Sequence, residues 1–264
     1  CEMALPRHKL ACFTKRAIIA AADDVIPCEL ISLFRWDSVP SNIALKHLIE
    51  IAEAVNKMEE ETISLHVNDI ISISQAVYTR LPANQHGLSM EHKLIWVGHQ
   101  FVFPSCTFVS VPFSLEPYFF SLQTSQCQVP ASFFGIKPFP SLAHLVSVLE
   151  KISNEKEEMT EMQMTLVLNI LTYLSKGDVE SRKSLNHILF PTTDNKLAPL
   201  DDVVYDDLNR LNNVELNALG HGKAIVSPRV SMEIARSLGV HFITEQVSAS
   251  ASITLFWIAI SLTR

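Results

Sequence analysis

The chain has 264 residues, 48% of them hydrophobic and 19% charged, with a formal net charge of −7. That length accommodates one large core or two small ones, and the composition is that of a folded chain rather than a disordered one. The acidic balance, with lysine and arginine scattered, argues against a nucleic-acid surface, which needs basic residues gathered to neutralise phosphates.

Residues 1–36 are mixed and carry an alanine-rich helical stretch at 17–24 before Pro27. The chain opens on Cys1 without a basic-then-apolar leader, and it is read as a piece of a longer protein. Val39, Pro40, Ser41 and Asn42 form a turn and cap signal, after which Leu45, Leu48, Ile49, Ala52 and Val55 recur at helical spacing to about Lys57. Residues 59–61 are a solvated acidic end. A second helix is expected to bury Ile70, Ile71, Val77 and Leu81 before Pro82.

The pattern changes at Leu94. Residues 94–104 predict a strand pair or bulged strand, and 108–111 a further strand. Pro112, Pro117 and Pro130 then punctuate loops and short helix. Ser141 is placed to cap a helix that presents Leu142, Leu145, Val146 and Leu149 on one face. Residues 153–158 form a charged linker. Met162, Leu166, Ile170 and Tyr173 follow at helical intervals, with Val167, Leu171 and Leu174 widening the stripe. Residues 185–190 and 197–205 predict strands around a turn at 192–196, and 224–226 a short strand. Ser227 and Pro228 are expected to open a last helix, with Val230, Ile234, Ala235 and Leu238 inward and Gly239 closing it. The fold class expected is α+β, with mixed helices and short, mainly antiparallel strands. Its parts are 1–155, a helical and β part; 156–243, a second α+β part; and 244–264, an atypical apolar tail. In that tail Ile253, Leu255, Phe256, Trp257, Ile258, Ile260 and Leu262 are interrupted by Ser248, Ser250, Ser252 and Thr254. A spanning helix needs about 20 largely apolar residues, so a membrane role is not the expectation.

Five cysteines, Cys1, Cys12, Cys28, Cys106 and Cys127, include no C-x-x-C pair. They suit buried thiols in a reducing compartment, the cytoplasm, better than disulfides or zinc. Only seven residues are glycine, well below the average usage of about 7%. Phosphate-cradling loops need several glycines close together. Gly220, His221, Gly222 and Lys223 lack the upstream glycine, and Ala224 stands where a magnesium-binding hydroxyl belongs. No G-x-G-x-x-G or G-x-S-x-G occurs. His99 near Cys106 is expected to be a partly buried histidine after a strand. His86 and His92 flank Glu91 without the H-E-x-x-H spacing that puts two imidazoles on one helix face.

The acidic residues of 191–207 carry two readings. Asp194, Asp201, Asp202, Asp206 and Asp207 could converge on magnesium or calcium in a metal-dependent hydrolase. Adjacent aspartates on a strand, however, point to opposite faces. The structural reading has Asp194 and Asn195 shaping a turn, Asp201 and Asp202 bounding a strand, and Asp206 and Asp207 capping the segment after them.

A further set of residues occurs in a recognisable order. It runs Val25-Ile26-Pro27 to Phe34-Arg35-Trp36-Asp37 and Pro40; Leu94-Ile95-Trp96-Val97-Gly98 to Phe101-Val102 and Pro104; and Pro117-Tyr118-Phe119. It continues with Phe133-Phe134-Gly135-Ile136; residues 191–207 with Tyr205-Asp206-Asp207; and Ala235-Arg236-Ser237-Leu238-Gly239-Val240. Over about 25–243 the chain resembles the repeat region of sacsin-type multidomain co-chaperones. The departures are Leu208-Asn209-Arg210-Leu211, where an aromatic often follows the acidic turn, and the tail beyond Phe242. The resemblance implies a segment downstream of an ATPase-like module similar to the nucleotide-binding domain of the ninety-kilodalton heat-shock protein. It implies no catalytic, cofactor-binding or metal residue in this chain, with any ATPase chemistry lying outside it. It also implies protein clients and, for the full-length protein, the seventy-kilodalton heat-shock protein as partner.

Overall fold

A computed structural model describes residues 41–79, 81, 91–155, 158–177, 188–207 and 222–245. The expected helix at 17–24, His86, His221 and the tail at 247–264 lie outside the described residues. The described elements are α+β: helices of two to five turns, and short strands paired two by two. Two pairs are antiparallel and two are parallel, so antiparallel pairing holds for the local hairpins and not for the rest. The chain divides into two compact units, Cys1–Phe139 and Pro140–Arg264. The charged linker expected at 153–158 falls between two helices that pack together inside the second unit, and the division between the units lies after Phe139.

In the first unit, α1 (Ser41–Val55) starts directly after Pro40. Its predicted face is buried at Leu45, Leu48, Ala52 and Val55, with Ala44 and Ile51 alongside. After a short turn α2 (Glu60–Tyr78) begins, with Glu60 and Glu61 in the first turn, where carboxylates complement the positive end of the helix dipole. It packs on α1 through one continuous core that includes Ile63, Ile70, Ile73 and Val77. Leu81 is buried too, although the helix ends at Tyr78.

That core also holds a two-residue hairpin, β1 (Ile95–Trp96) with β2 (Phe101–Val102). The Val97 N–H donates to Gln100 O at 3.0 Å, leaving Gly98 and His99 as the loop. Gly98 has φ +97°, the positive value that the first position of a primed two-residue turn requires. In the alternating ladder Trp96 and Phe101 form the pair whose backbone groups face outward. Side chains meet those groups. The Asn56 amide donates to Phe101 O at 3.0 Å and accepts from Phe101 N–H at 2.9 Å. The Tyr78 hydroxyl accepts from Trp96 N–H at 3.1 Å and donates to Leu94 O at 2.7 Å. The Trp96 and Phe101 rings, both fully buried, lie 5.2 Å apart, a pairing that contributes about 0.5–1.5 kcal/mol beyond burial.

Beyond the hairpin, β3 (Thr107–Phe108) runs parallel to β4 (Phe120–Ser121), a shorter strand than the 108–111 predicted. Residues 130–136 close as a helical turn. Ile136 N–H reaches Ala131 O at 2.9 Å and Gly135 N–H reaches Ser132 O at 3.3 Å, with Gly135 at φ +64°. That crossed pair of bonds around a left-handed glycine is the Schellman arrangement. It aims Phe133 and Phe134 into the core, where Phe134 meets Tyr78 edge-on.

The second unit opens with α3 (Leu142–Asn154), capped at Ser141 as expected; the Ser141 N–H donates to His144 Nδ1 at 3.1 Å. Leu145, Val146 and Leu149 are buried with Val148 and Ile152, while Leu142 is half-buried. The next helix, α4 (Glu161–Ser175), has a capping box between Thr160 and Gln163. Its buried stripe is Met164, Leu166, Val167, Ile170, Leu171 and Leu174. Met162 and Tyr173, expected inside, are 69% and 42% exposed. A walk in threes and fours from Met162 drifts to the margin of the stripe, which centres on Val167 and Leu171.

A hairpin of β5 (Leu189–Pro191) and β6 (Leu197–Pro199) packs on α3. The strand predicted through 197–205 is broken by a single 3-10 turn, Leu200–Asp202, before β7 (Val203–Val204) pairs in parallel with β8 (Ala224–Ile225). The helix expected to open at Ser227–Pro228, α5 (Met232–Ser237), packs on α4 and starts after Ser231 instead, because the Ser231 hydroxyl accepts from Ile234 N–H. It ends in a second Schellman arrangement, with Val240 N–H on Ala235 O, Gly239 N–H on Arg236 O, and Gly239 at φ +85°. Among the described residues no helix is long and apolar enough to cross a membrane.

Candidate functional site

The acidic residues of 191–207 are held by separate parts of the second unit. At the β5–β6 turn Asn195 takes φ +57°, a left-handed value that asparagine tolerates. Thr192 closes the turn: its N–H donates to Lys196 O at 2.8 Å, and its hydroxyl donates to the Asp194 carboxylate. Asp194 and Asn195 therefore shape this turn, as the structural reading expects. Asp201 and Asp202 lie exposed on the 3-10 turn that joins β6 to β7, bounding strands on both sides.

The final Tyr-Asp-Asp works over a long sequence distance. Tyr205 pairs by its backbone with the segment around Phe242, accepting from Ile243 N–H and donating to His241 O. The Tyr205 and Phe242 rings lie 5.2 Å apart, and the Tyr205 hydroxyl donates to Val230 O at 3.2 Å. Asp207 accepts from the Thr244 N–H at 3.3 Å and from the Thr244 hydroxyl. It thus caps the helical turn at 243–245; the residues after it in sequence, where the cap was expected to act, lie outside the described residues. Among the described residues no set of three His, Cys, Asp or Glu side chains is gathered as metal ligands.

The first unit has an open cleft of about 760 Å³ between the start of α2 and the β1–β2 hairpin. Its apolar wall is Met58, Ile63 and Val67; Ile63 and Val67 are one helical turn apart on the same face. Its charged lining is Glu60, in the first turn of α2, and Lys93, just before β1. His99 and Gln100 complete it from the hairpin, with Nε2 atoms 3.2 Å apart. His99 is exposed at the hairpin tip, contrary to the expectation of partial burial. It belongs to the loop and not to a strand, and its ring lies 6.3 Å from that of Phe120. The Lys93 ammonium lies 5.7 Å from the centre of the Phe103 ring.

Two groups beneath the hairpin are shifted by their surroundings. Burial pushes the Tyr78 hydroxyl far above the usual tyrosine range, against the opposing hydrogen bond from Trp96. Burial also pushes the Cys127 thiol up to about 11, with its hydrogen bond to Ser125 opposing. Cys127 and Cys106 are both free thiols packed against the core. A thiol so raised is a poor nucleophile near neutral pH.

The sequence pattern does not single out Asn56, Glu60, Ile63, Val67 or Lys93 as a group. Its one signal is Gly98-His99 as a tight loop, which places His99 and Gln100 at a hairpin tip; nothing local brings residues 56–67 to them. Comparison with known proteins returned no match to a family model, a curated protein or a solved structure.

Proposed function

We propose that the chain is a non-catalytic segment of a sacsin-like multidomain co-chaperone. In this reading it works in the cytoplasm, couples to an adjacent ATPase-like module and binds protein clients, with the seventy-kilodalton heat-shock protein as partner of the full-length assembly. The observation that supports it best is what the ordered sequence signature is made of. Leu94 to Phe101 forms the clamped hairpin, Phe133 to Ile136 and Ala235 to Val240 each close a turn around a left-handed glycine, and Tyr205 with Asp207 fastens the 241–244 segment. These residues shape turns and cores, as the recurring elements of a scaffold must. The carboxylates that a hydrolase would need are distributed among a turn, a 3-10 segment and a distant cap, so no observation favours that second reading.

The reading is tested by client aggregation. The upstream module is assayed with and without this segment attached, and suppression is expected to weaken when the segment is deleted. Unchanged suppression would count against a client-handling role.

A further inference from the structure

We propose that the cleft between α2 and the β1–β2 hairpin is a peptide site, taking a short segment with an apolar side chain between a basic and an acidic residue. The occupant's class is taken from the client-binding reading above. The cleft's volume of about 760 Å³ falls in the range of sites that enclose sizeable ligands, roughly 300–1,000 Å³. Met58, Ile63 and Val67 offer an apolar wall, and the unbranched methionine adapts to side chains of different shape. Charge then selects among apolar ligands. A wholly apolar occupant would take the exposed Glu60 and Lys93 side chains out of water without supplying a counter-charge to either. A segment bearing both signs places its cation by Glu60 and its anion by Lys93, and like charges at either end are rejected. Both walls are set before the ligand arrives: Asn56 fastens the hairpin to the α1–α2 turn by two hydrogen bonds, which reduces the ordering cost of binding.

The test uses the full chain and a fluorescein-labelled peptide in which a leucine pair is flanked by one lysine and one glutamate, followed by anisotropy at low ionic strength. Saturable binding is expected. Val67→Asp, which puts a carboxylate in the apolar wall, should weaken it by about tenfold or more. Lys93→Glu, at an exposed position where the fold should survive, should weaken it by up to about fivefold and shift preference toward a peptide with lysine at both ends. Circular dichroism checks that both variants are folded. Absence of saturable binding, or equal affinity in wild type and Lys93→Glu with unchanged charge preference, overturns the site. If the segment suppresses aggregation while the peptide fails to bind, the cleft proposal falls and the chaperone reading stands. If the peptide binds with the expected charge preference and aggregation is unaffected, the site stands and the chaperone reading falls.

Discussion

Replacing Tyr78 by phenylalanine removes one oxygen from the interior and leaves the ring. The ring is fully buried and meets Phe134 edge-on, so its packing is retained. What is lost is the partner of two backbone groups, Trp96 N–H and Leu94 O, on residues that are themselves buried. A buried polar group deprived of its partner costs about 1–3 kcal/mol, so the pair is worth about 2–4 kcal/mol, allowing for some relaxation. Against a typical stability of about 5–15 kcal/mol this is a large fraction. Urea unfolding followed by near-ultraviolet circular dichroism should give a lower midpoint at unchanged slope. The pH dependence carries a second signature. Because burial keeps the Tyr78 hydroxyl protonated in the folded state above its unfolded range, the folded state binds the extra proton and stability falls as pH rises. The fall begins near the unfolded value of about 10, at up to about 1.4 kcal/mol per pH unit. Below that pH the contribution is constant. The wild-type minus Tyr78→Phe difference should therefore shrink above pH 10. A cost under about 0.5 kcal/mol, the range of ordinary surface substitutions, would refute the view that this hydroxyl fastens the hairpin to α2.

The other predictions concern the same hairpin, the acidic turn and the thiols. Asn56→Ala should cost about 1–2 kcal/mol, less than a deeply buried loss because water reaches the site, and should speed amide hydrogen exchange at Phe101. Asp207→Ala should cost about 1 kcal/mol through loss of the Thr244 cap, whereas Asp201→Ala should change stability by no more than about 0.5 kcal/mol; urea midpoints separate the two. Magnesium titration at millimolar concentration should leave the melting temperature unchanged, and a saturable rise abolished by Asp207→Ala would revive the hydrolase reading. Maleimide labelling mapped by peptide mass spectrometry should find Cys127 slow at neutral pH, with a rate that climbs until about pH 11.

What could be read from the chain was what local spacing decides. The buried face of α1, the cap at Ser141, the Gly239 stop and the turn at Asp194-Asn195 each rest on residues within one or two turns of each other. The parallel pairs were not legible, because Thr107–Phe108 finds its partner at Phe120–Ser121 and Val203–Val204 at Ala224–Ile225, across intervening chain. Met162 and Tyr173 fit the helical period yet sit outside the stripe, since periodicity gives a face but not its centre. Asp207 was legible as a cap and not as the cap of Thr244, which lies 37 residues away. The cleft escaped for the same reason: no pattern within 56–67 announces a hairpin tip at 98–100 opposite it.

A two-stranded sheet ordinarily offers both outer edges to any extended chain, which can add itself as a third strand. Here Asn56 occupies both outward backbone groups of Phe101, and Tyr78 occupies the outward N–H of Trp96. Three of the four outward backbone groups of that pair are thus already engaged, which leaves little for an added strand to bond and favours recognition of a ligand through its side chains. The same engagement of the edges limits strand addition between copies of the hairpin.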